Sequence, residues 1–148
     1  MAILREQIET ALPIDETFAF IADFANAEQW DPGVASSKRM DDGPVGVDAT
    51  YRLDVRMANR VVPMDYRVTD WEPPRRVVLA GTGSGVNAID DIRFEELGGG
   101  TRIDYTADIR LTGLLRLAAP VAGGAFRRVA RDARHGMQRA LAERAAAR

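Results

Sequence analysis

Apolar and polar residues alternate through much of this chain, which is the pattern of half-buried β-strands. The first such stretch, residues 3–10, is followed by two short helical stretches at 18–21 and 26–30. Alternating strands then continue to Leu111, and one long amphipathic helix follows them. An antiparallel sheet with a helix laid across it forms a concave, largely apolar surface, which is where small molecules bind. The order of elements therefore predicts a ligand-holding domain.

Two central strands alternate between apolar and charged residues. One face of each strand should line the interior, where any tyrosine hydroxyl must find a hydrogen-bond partner. The residues that share this inward face are Tyr51, Leu53, Val55 and Met57 on the first strand and Val62, Met64, Tyr66 and Val68 on the second.

The last hairpin fixes its own register by charge pairing. A loop over residues 97–100 brings opposite charges together on the outer side and apolar groups together on the inner side, as cross-strand energetics favour. A slip of one residue would bury the charges. The predicted pairs are Arg93 with Asp104, Glu95 with Arg102, Phe94 with Ile103 and Ile92 with Tyr105.

Two carboxylates fall in phase with the inward face. Glu6 shares its side with Leu4 and Ile8, and Asp90 lies opposite Ala107, one diagonal step from Tyr105. Buried carboxylates are unusual unless they are paired or functional. For Glu6 we favour either a strand end that reaches solvent or a bulge that flips its phase. For Asp90 a strand-end position and a role as the polar anchor of a pocket carry equal weight.

The C-terminal helix is predicted from residue 125 onward. Its apolar stripe is Phe126, Val129, Ala130, Ala133, Met137, Ala140 and Leu141, with Arg128, Arg131, His135 and Arg139 on the opposite, solvated side. Residues 114–119 are predicted as a short apolar turn, broken by Pro120 and Gly123-Gly124. We favour packing of the 114–126 segment against the core; contact with a membrane is the alternative.

Charge is distributed unevenly. Residues 114–148 contain eight arginines and two acids, although the whole chain has a net charge of −2. A basic helix is typical of proteins that bind nucleic acid or anionic lipid. Because no aromatic residues are interleaved with these arginines, we expect no nucleic-acid binding and a solvated helix face that neutralises an acidic sheet.

The composition excludes several kinds of chemistry. With no cysteine, the 148 residues hold no disulfide or thiolate site, and one histidine without a ligand cluster predicts neither a metal nor a cofactor. The glycines at 81–85 lack the spacing and the following helix of a phosphate loop. No signal peptide or membrane-spanning stretch is expected. We therefore predict a cytoplasmic location and no stable insertion into a membrane. We expect one domain over residues 1–148.

Several segments resemble the polyketide cyclase/dehydrase family of the START-like, helix-grip (SRPBCC) superfamily. They are residues 8–13 leading into 18–23, Gln29-Trp30-Asp31-Pro32, Trp71-Glu72-Pro73-Pro74-Arg75, and 100–105 with the terminal helix. The resemblance implies an α+β helix-grip fold, in which a curved seven-stranded antiparallel sheet grips a long C-terminal helix and two short helices follow strand 1. It further implies a cavity for lipids, sterols, polyketides or quinones. Some relatives are aromatase/cyclases, but no catalytic motif carries over.

Three functions remain open at this level: carriage of a small hydrophobic molecule, cyclase/dehydratase chemistry without a metal, and a protein-interaction module. We favour the first, and convergence of a carboxylate and a tyrosine would favour the second. Neither the ligand nor the oligomeric state follows from the sequence. The predicted ligand-binding residues are Trp30, Tyr51, Leu53, Val55, Met64, Tyr66, Asp90, Ile92, Phe94, Tyr105, Phe126, Val129, Ala133 and Met137.

Overall fold

The computed structural model describes residues 2–57 and 59–148. These residues form the helices α1 (Ile14–Ile21), α2 (Ala27–Trp30) and α3 (Ala119–Ala146), together with a 3₁₀ turn (Phe24–Asn26) and a 3₁₀ segment (Gly113–Ala118). The seven strands are β1 (Ala2–Thr10), β2 (Val34–Arg39), β3 (Thr50–Met57), β4 (Arg60–Glu72), β5 (Arg76–Gly83), β6 (Val86–Leu97) and β7 (Gly100–Leu111).

The strands form one antiparallel sheet in the order β1-β7-β6-β5-β4-β3-β2. All neighbours are consecutive in the chain except β1, which pairs with β7 and so joins the two terminal strands. Register shifts between Val34 and Ser36 and between Val68 and Asp70 help to curve the sheet, because a bulge bends its strand. The predicted helix-grip architecture is confirmed: the curled sheet holds α3 against its concave face.

The predicted register of the last hairpin is also confirmed. Arg93 lies opposite Asp104, Glu95 opposite Arg102 and Phe94 opposite Ile103. The strands extend further than predicted, which leaves only Gly98 and Gly99 in the turn. Both have positive φ (58° and 87°), as the tight two-residue turn of a twisted hairpin requires.

The long helix begins earlier than predicted, at Ala119 rather than residue 125. Pro120 does not break it, since a proline in the first turn lacks only an N–H that would have no helical partner. Gly123 and Gly124 lie inside the helix and are tolerated at a cost of about 1 kcal/mol each. Helix propensity alone therefore placed the boundary wrongly.

The two ends of the sheet are filled differently. At the end that carries the β4–β5 turn, Phe18 of α1 packs edge-on against Trp71 and Phe94, with ring centroids 4.9 and 5.1 Å apart. We call this the packed end. The opposite end, which carries the β3–β4 and β5–β6 hairpins, is the cavity end.

Helix α3 is likewise tightly packed in one half and loosely packed in the other. Its C-terminal half is in close contact with the core, and Met137, Ala140 and Leu141 are buried. At Gly136 the helix backbone lies so near the Trp30 carbonyl that any β-carbon would collide with it. The N-terminal half lies further from the sheet, and its inward residues Phe126, Val129 and Ala133 are only half-buried.

Candidate functional site

A cavity of about 350 Å³ lies between the concave face of the sheet and the N-terminal half of α3. This volume falls within the range of about 300–1,000 Å³ that is usual for small-molecule sites. Strands β1, β3, β4, β6 and β7 contribute to its wall, together with α2, α3 and the 3₁₀ segment. Most of the lining side chains are aliphatic or aromatic, so the cavity is suited to an apolar guest.

Small side chains on facing elements leave the cavity open. Ala88 of β6 and Ala107 of β7 face Ala122, Ala130 and Ala133 of α3 across it. Protein interiors are normally close-packed, so a void persists only where the facing side chains are too short to meet. The hydrophobic pattern of the sequence predicts that Ala107, Ala130 and Ala133 face inward, but it does not show that they face one another across a gap.

Eleven of the fourteen predicted ligand-binding residues line this cavity: Trp30, Leu53, Val55, Met64, Tyr66, Asp90, Tyr105, Phe126, Val129, Ala133 and Met137. Tyr51, Ile92 and Phe94 do not. They face inward as predicted, but they lie in the solid core, where α1 and its neighbours occupy the space. Along β6, Asp90 marks the boundary between the cavity and this packed region.

Asp90 and Tyr105 meet in the cavity wall. The Tyr105 hydroxyl donates a hydrogen bond of 2.5 Å to Oδ2 of Asp90, and the Asp90 residue is only 7% exposed. Burial raises the pKa of Asp90 to about 7, although the Tyr105 hydrogen bond opposes the rise and the nearby Asp31 adds to it. The diagonal approach predicted from the register is confirmed. Burial, which outweighs this hydrogen bond, leaves a carboxyl group whose pKa lies near neutral pH.

Asp31 is a second carboxylate on the wall, and sequence reasoning missed it. Its Oδ1 accepts a 2.8 Å hydrogen bond from the Gly33 backbone N–H. Burial raises the pKa of Asp31 to about 6, the Gly33 hydrogen bond lowers it, and the charge of Asp132 raises it further. In the sequence, Asp31-Pro32-Gly33 indicates only a turn that ends α2, since such turns commonly begin with an aspartate.

Asp31 and Asp90 mark the polar end of the cavity, and the hydroxyl and indole groups of Tyr66, Tyr105 and Trp30 lie beside them. Burial and the charge of Asp90 hold the pKa values of Tyr66 and Tyr105 well above their usual range, so both hydroxyls stay protonated. Trp30 packs edge-on against Tyr105 and Phe24, with centroids 6.1 and 6.2 Å apart. Its indole N–H is buried and has no hydrogen-bond partner among the described residues. Trp30 therefore belongs both to the core and to the cavity wall.

Glu6 faces inward in phase with the cavity but remains partly in solvent. Its Oε2 lies 3.6 Å from Nε of Arg134, which also donates a 3.1 Å hydrogen bond to the Gln7 carbonyl. The two side chains are 31% and 36% exposed. Glu6 therefore reaches water as we favoured from the sequence, but it does so in the middle of β1 and without a bulge.

Lining residues that are exposed to solvent lie on the β3–β4 hairpin and the 3₁₀ segment, which places the mouth of the cavity between these two elements. Arg56, Met57 and Arg60 line it on one side, and Leu115 lines it on the other. The prediction that the 114–126 segment packs against the core holds only in part, since Leu115 and Phe126 line the cavity. Leu114 and Leu117 lie in solvent instead. A 3₁₀ repeat of three residues places leucines at i and i+3 on one side of the segment, here the outer side.

Comparisons with known proteins agree with this architecture. Residues 1–143 match the profile of a family described as polyketide cyclase/dehydrase and lipid transport. A comparison with curated proteins finds no significant match.

Among solved structures, the Zhui aromatase/cyclase from Streptomyces sp. R1128 is 17% identical with a TM-score of 0.78, over 98% of this chain and 93% of that one. A protein from Thermus thermophilus is 14% identical with a TM-score of 0.81, over 99% of this chain and 100% of the other. A START superfamily protein from Mycobacterium smegmatis is 18% identical with a TM-score of 0.71, over 96% and 95%. At these identities the structures share a fold with this chain.

Proposed function

We propose that this chain, which belongs to the polyketide cyclase/dehydrase and lipid transport family, binds a small hydrophobic molecule between its sheet and α3. One observation carries the proposal: a cavity of about 350 Å³ with mainly apolar walls and two carboxyl groups, Asp31 and Asp90, at its polar end. A largely apolar cavity with a few convergent polar groups is the usual form of a small-molecule site. A lipid, polyketide or quinone-like molecule with one polar end would suit it.

The test fills the cavity from the helix side. In Ala133→Trp the indole would occupy the cavity, so the affinity for a neutral fluorescent probe such as N-phenylnaphthylamine should fall at least tenfold. The protein should stay folded, because a void accepts bulk that a packed core does not. Probe titration, circular dichroism and native mass spectrometry for a co-purified ligand are the measurements.

Ala140→Trp is the matched control, seven residues further along the same face but buried at 8% exposure. Overpacking there should destabilise the domain by about 1–3 kcal/mol or more. If Ala133→Trp binds the probe as well as the unmodified protein does, the cavity is not the binding site. If the two variants unfold alike, the helix is packed solid along its whole length.

A cyclase or dehydratase activity is the second candidate, and the contact between Asp90 and Tyr105 favours it. A carboxyl group with a pKa near the working pH is present in both protonation states, as proton transfer requires. In this role Asp90 would take a proton from a carbon beside a carbonyl while Tyr105 donates to an oxygen. Recovery of a poly-ketone ligand with its mass and absorbance unchanged after incubation would contradict this activity.

A further inference from the structure

Three large aliphatic side chains stand in solvent where α3 begins. Leu114, Leu117 and Val121 are 87%, 83% and 84% exposed. Leu114 and Leu117 share one side of the 3₁₀ segment, and Val121 follows in the first turn of α3. Side chains this exposed and this close in the chain form an apolar patch of the kind that marks an interaction site.

The patch adjoins the cavity mouth. Leu115, between the two exposed leucines, turns inward to line the cavity and packs over Gly85 of the β5–β6 turn. The Thr112 N–H donates a 2.8 Å hydrogen bond to the Gly85 carbonyl, which ties the segment to that turn. A surface that covers the patch would therefore also lie beside the cavity mouth.

Basic side chains surround this region. Arg60 of the β3–β4 hairpin lines the mouth, and Arg116, Arg127 and Arg128 are exposed on the 3₁₀ segment and α3. Elsewhere most arginines of the sheet, such as Arg52, form ion pairs. These four make no salt bridge with any residue in the part of the chain that the structure describes.

We propose that Leu114, Leu117 and Val121, with these four arginines, dock the protein on an anionic lipid bilayer and hold the cavity mouth against the membrane. Exposed apolar side chains flanked by arginines are complementary to such a surface, which combines acyl chains with negative headgroups. A second copy of the chain fits less well, because a symmetric contact would bring like charges together. Docking would be peripheral, since no helix among the described residues is long and apolar enough to span a bilayer. Transfer of the ligand at this mouth rests on the proposed function, whereas docking itself does not.

The absence of cysteine allows a clean test. A single Leu117→Cys variant carries an environment-sensitive dye, and Val47→Cys is the matched control at an exposed apolar position of the packed end. With phosphatidylcholine vesicles containing 30% phosphatidylglycerol, the dye at position 117 should shift to the blue and be quenched by spin-labelled lipid. The dye at position 47 should not respond.

Substitutions separate the two forces. Leu114→Ser with Leu117→Ser should lower the vesicle partition coefficient at least tenfold, because two leucine side chains no longer enter the bilayer. Val47→Ser should leave it unchanged. Arg127→Gln and Arg128→Gln should each lower it about fivefold on anionic vesicles, and raising NaCl from 0.1 to 0.5 M should mimic that loss.

Each outcome bears on the proposal. Failure to bind anionic vesicles, or binding that the double serine variant retains, would overturn it. A dimer that dissociates in the double serine variant, without vesicle binding, would assign the patch to a second copy instead. Probe binding in the cavity is measured in parallel. A protein that binds vesicles but does not bind the probe would reject the proposed function alone. A protein that binds the probe but does not bind vesicles would reject only this inference.

Discussion

The packed end and the cavity end are built from the same strands, yet one is solid and the other hollow. At the packed end, Phe94 of β6 meets Phe18 of α1, and Leu141 of α3 is fully buried. Four to eight residues earlier on β6, Val86, Ala88 and Asp90 face an open space beneath the first half of α3. The inward phase of β6 runs unbroken through both regions. What changes is the element opposite: a short helix with large aromatic residues at one end, and a helix with alanines at the other.

This difference shows what a period-two pattern measures. Alternation reports which side of a strand avoids water, and both a packed core and an apolar cavity meet that condition. Whether the space is filled depends on the volume that facing elements supply, which is a property of tertiary contact. Phe126 in the apolar stripe of α3 and Phe94 in the alternation of β6 both face inward, but only Phe94 lies in close-packed surroundings.

Truncating one aromatic residue at each end should reveal this difference most strongly. We expect Phe94→Ala to lower the free energy of unfolding by about 3–5 kcal/mol, because it leaves a void in a packed core. Phe126→Ala should cost about 1 kcal/mol or less, since its ring is half-buried and faces an existing void. Urea unfolding measures both. Equal losses in the two variants would mean that the cavity end is packed as tightly as the other.

The boundary residue Asp90 should make stability depend on pH. In the folded protein its pKa of about 7 keeps it protonated up to neutral pH, whereas the unfolded chain loses the proton near 3.8. Between these values the folded state binds more protons, so its stability falls as pH rises and levels off above pH 7. The predicted loss is roughly 4 kcal/mol at most, at about 1.4 kcal/mol for each pKa unit.

Asp90→Asn isolates this contribution, because the amide oxygen can still accept the Tyr105 hydrogen bond while the titrating group is gone. The difference in unfolding free energy between variant and unmodified protein should grow from pH 4 to pH 7 in favour of the variant. Taking the difference removes the opposite contribution of Asp91, where burial raises the pKa but the arginine partners outweigh it and lower the pKa overall. A difference that stays constant over this range would mean that Asp90 ionises normally in the folded state.

Much of the fold could be predicted because its signals are local. The charge pairs of the β6–β7 hairpin fix a register that the structure reproduces, including the position of Asp90 opposite Ala107. The strand β2 has mostly polar residues, and its existence followed only from the family resemblance. Local patterns are thus sufficient where one face is apolar and the other charged, and insufficient at a polar edge.

The site was harder to predict because it depends on how distant segments meet. Asp31 lines the cavity beside the close approach of α2 and α3 at Gly136, and no spacing in the sequence predicts that approach. The leucines at 114 and 117 were expected in the core because an apolar run usually packs there. Their exposure follows from the 3₁₀ geometry of the segment, which turns only Leu115 inward.

The smallest effect is expected at Glu6, which shares its inward phase with Asp90 but lies on the edge strand β1. There Arg134 reaches it from α3, and water reaches both side chains. Exposed ion pairs contribute about 0–1 kcal/mol, so Glu6→Gln should lower the free energy of unfolding by less than about 1 kcal/mol. A double-mutant cycle with Arg134→Gln measures the coupling, which should shrink further in 0.5 M NaCl as salt screens the pair. Arg134 keeps its hydrogen bond to the Gln7 carbonyl in Glu6→Gln, which further limits the loss. A coupling of several kcal/mol would instead place Glu6 in a desolvated site like that of Asp90, and strand position would then not explain why the two acids differ.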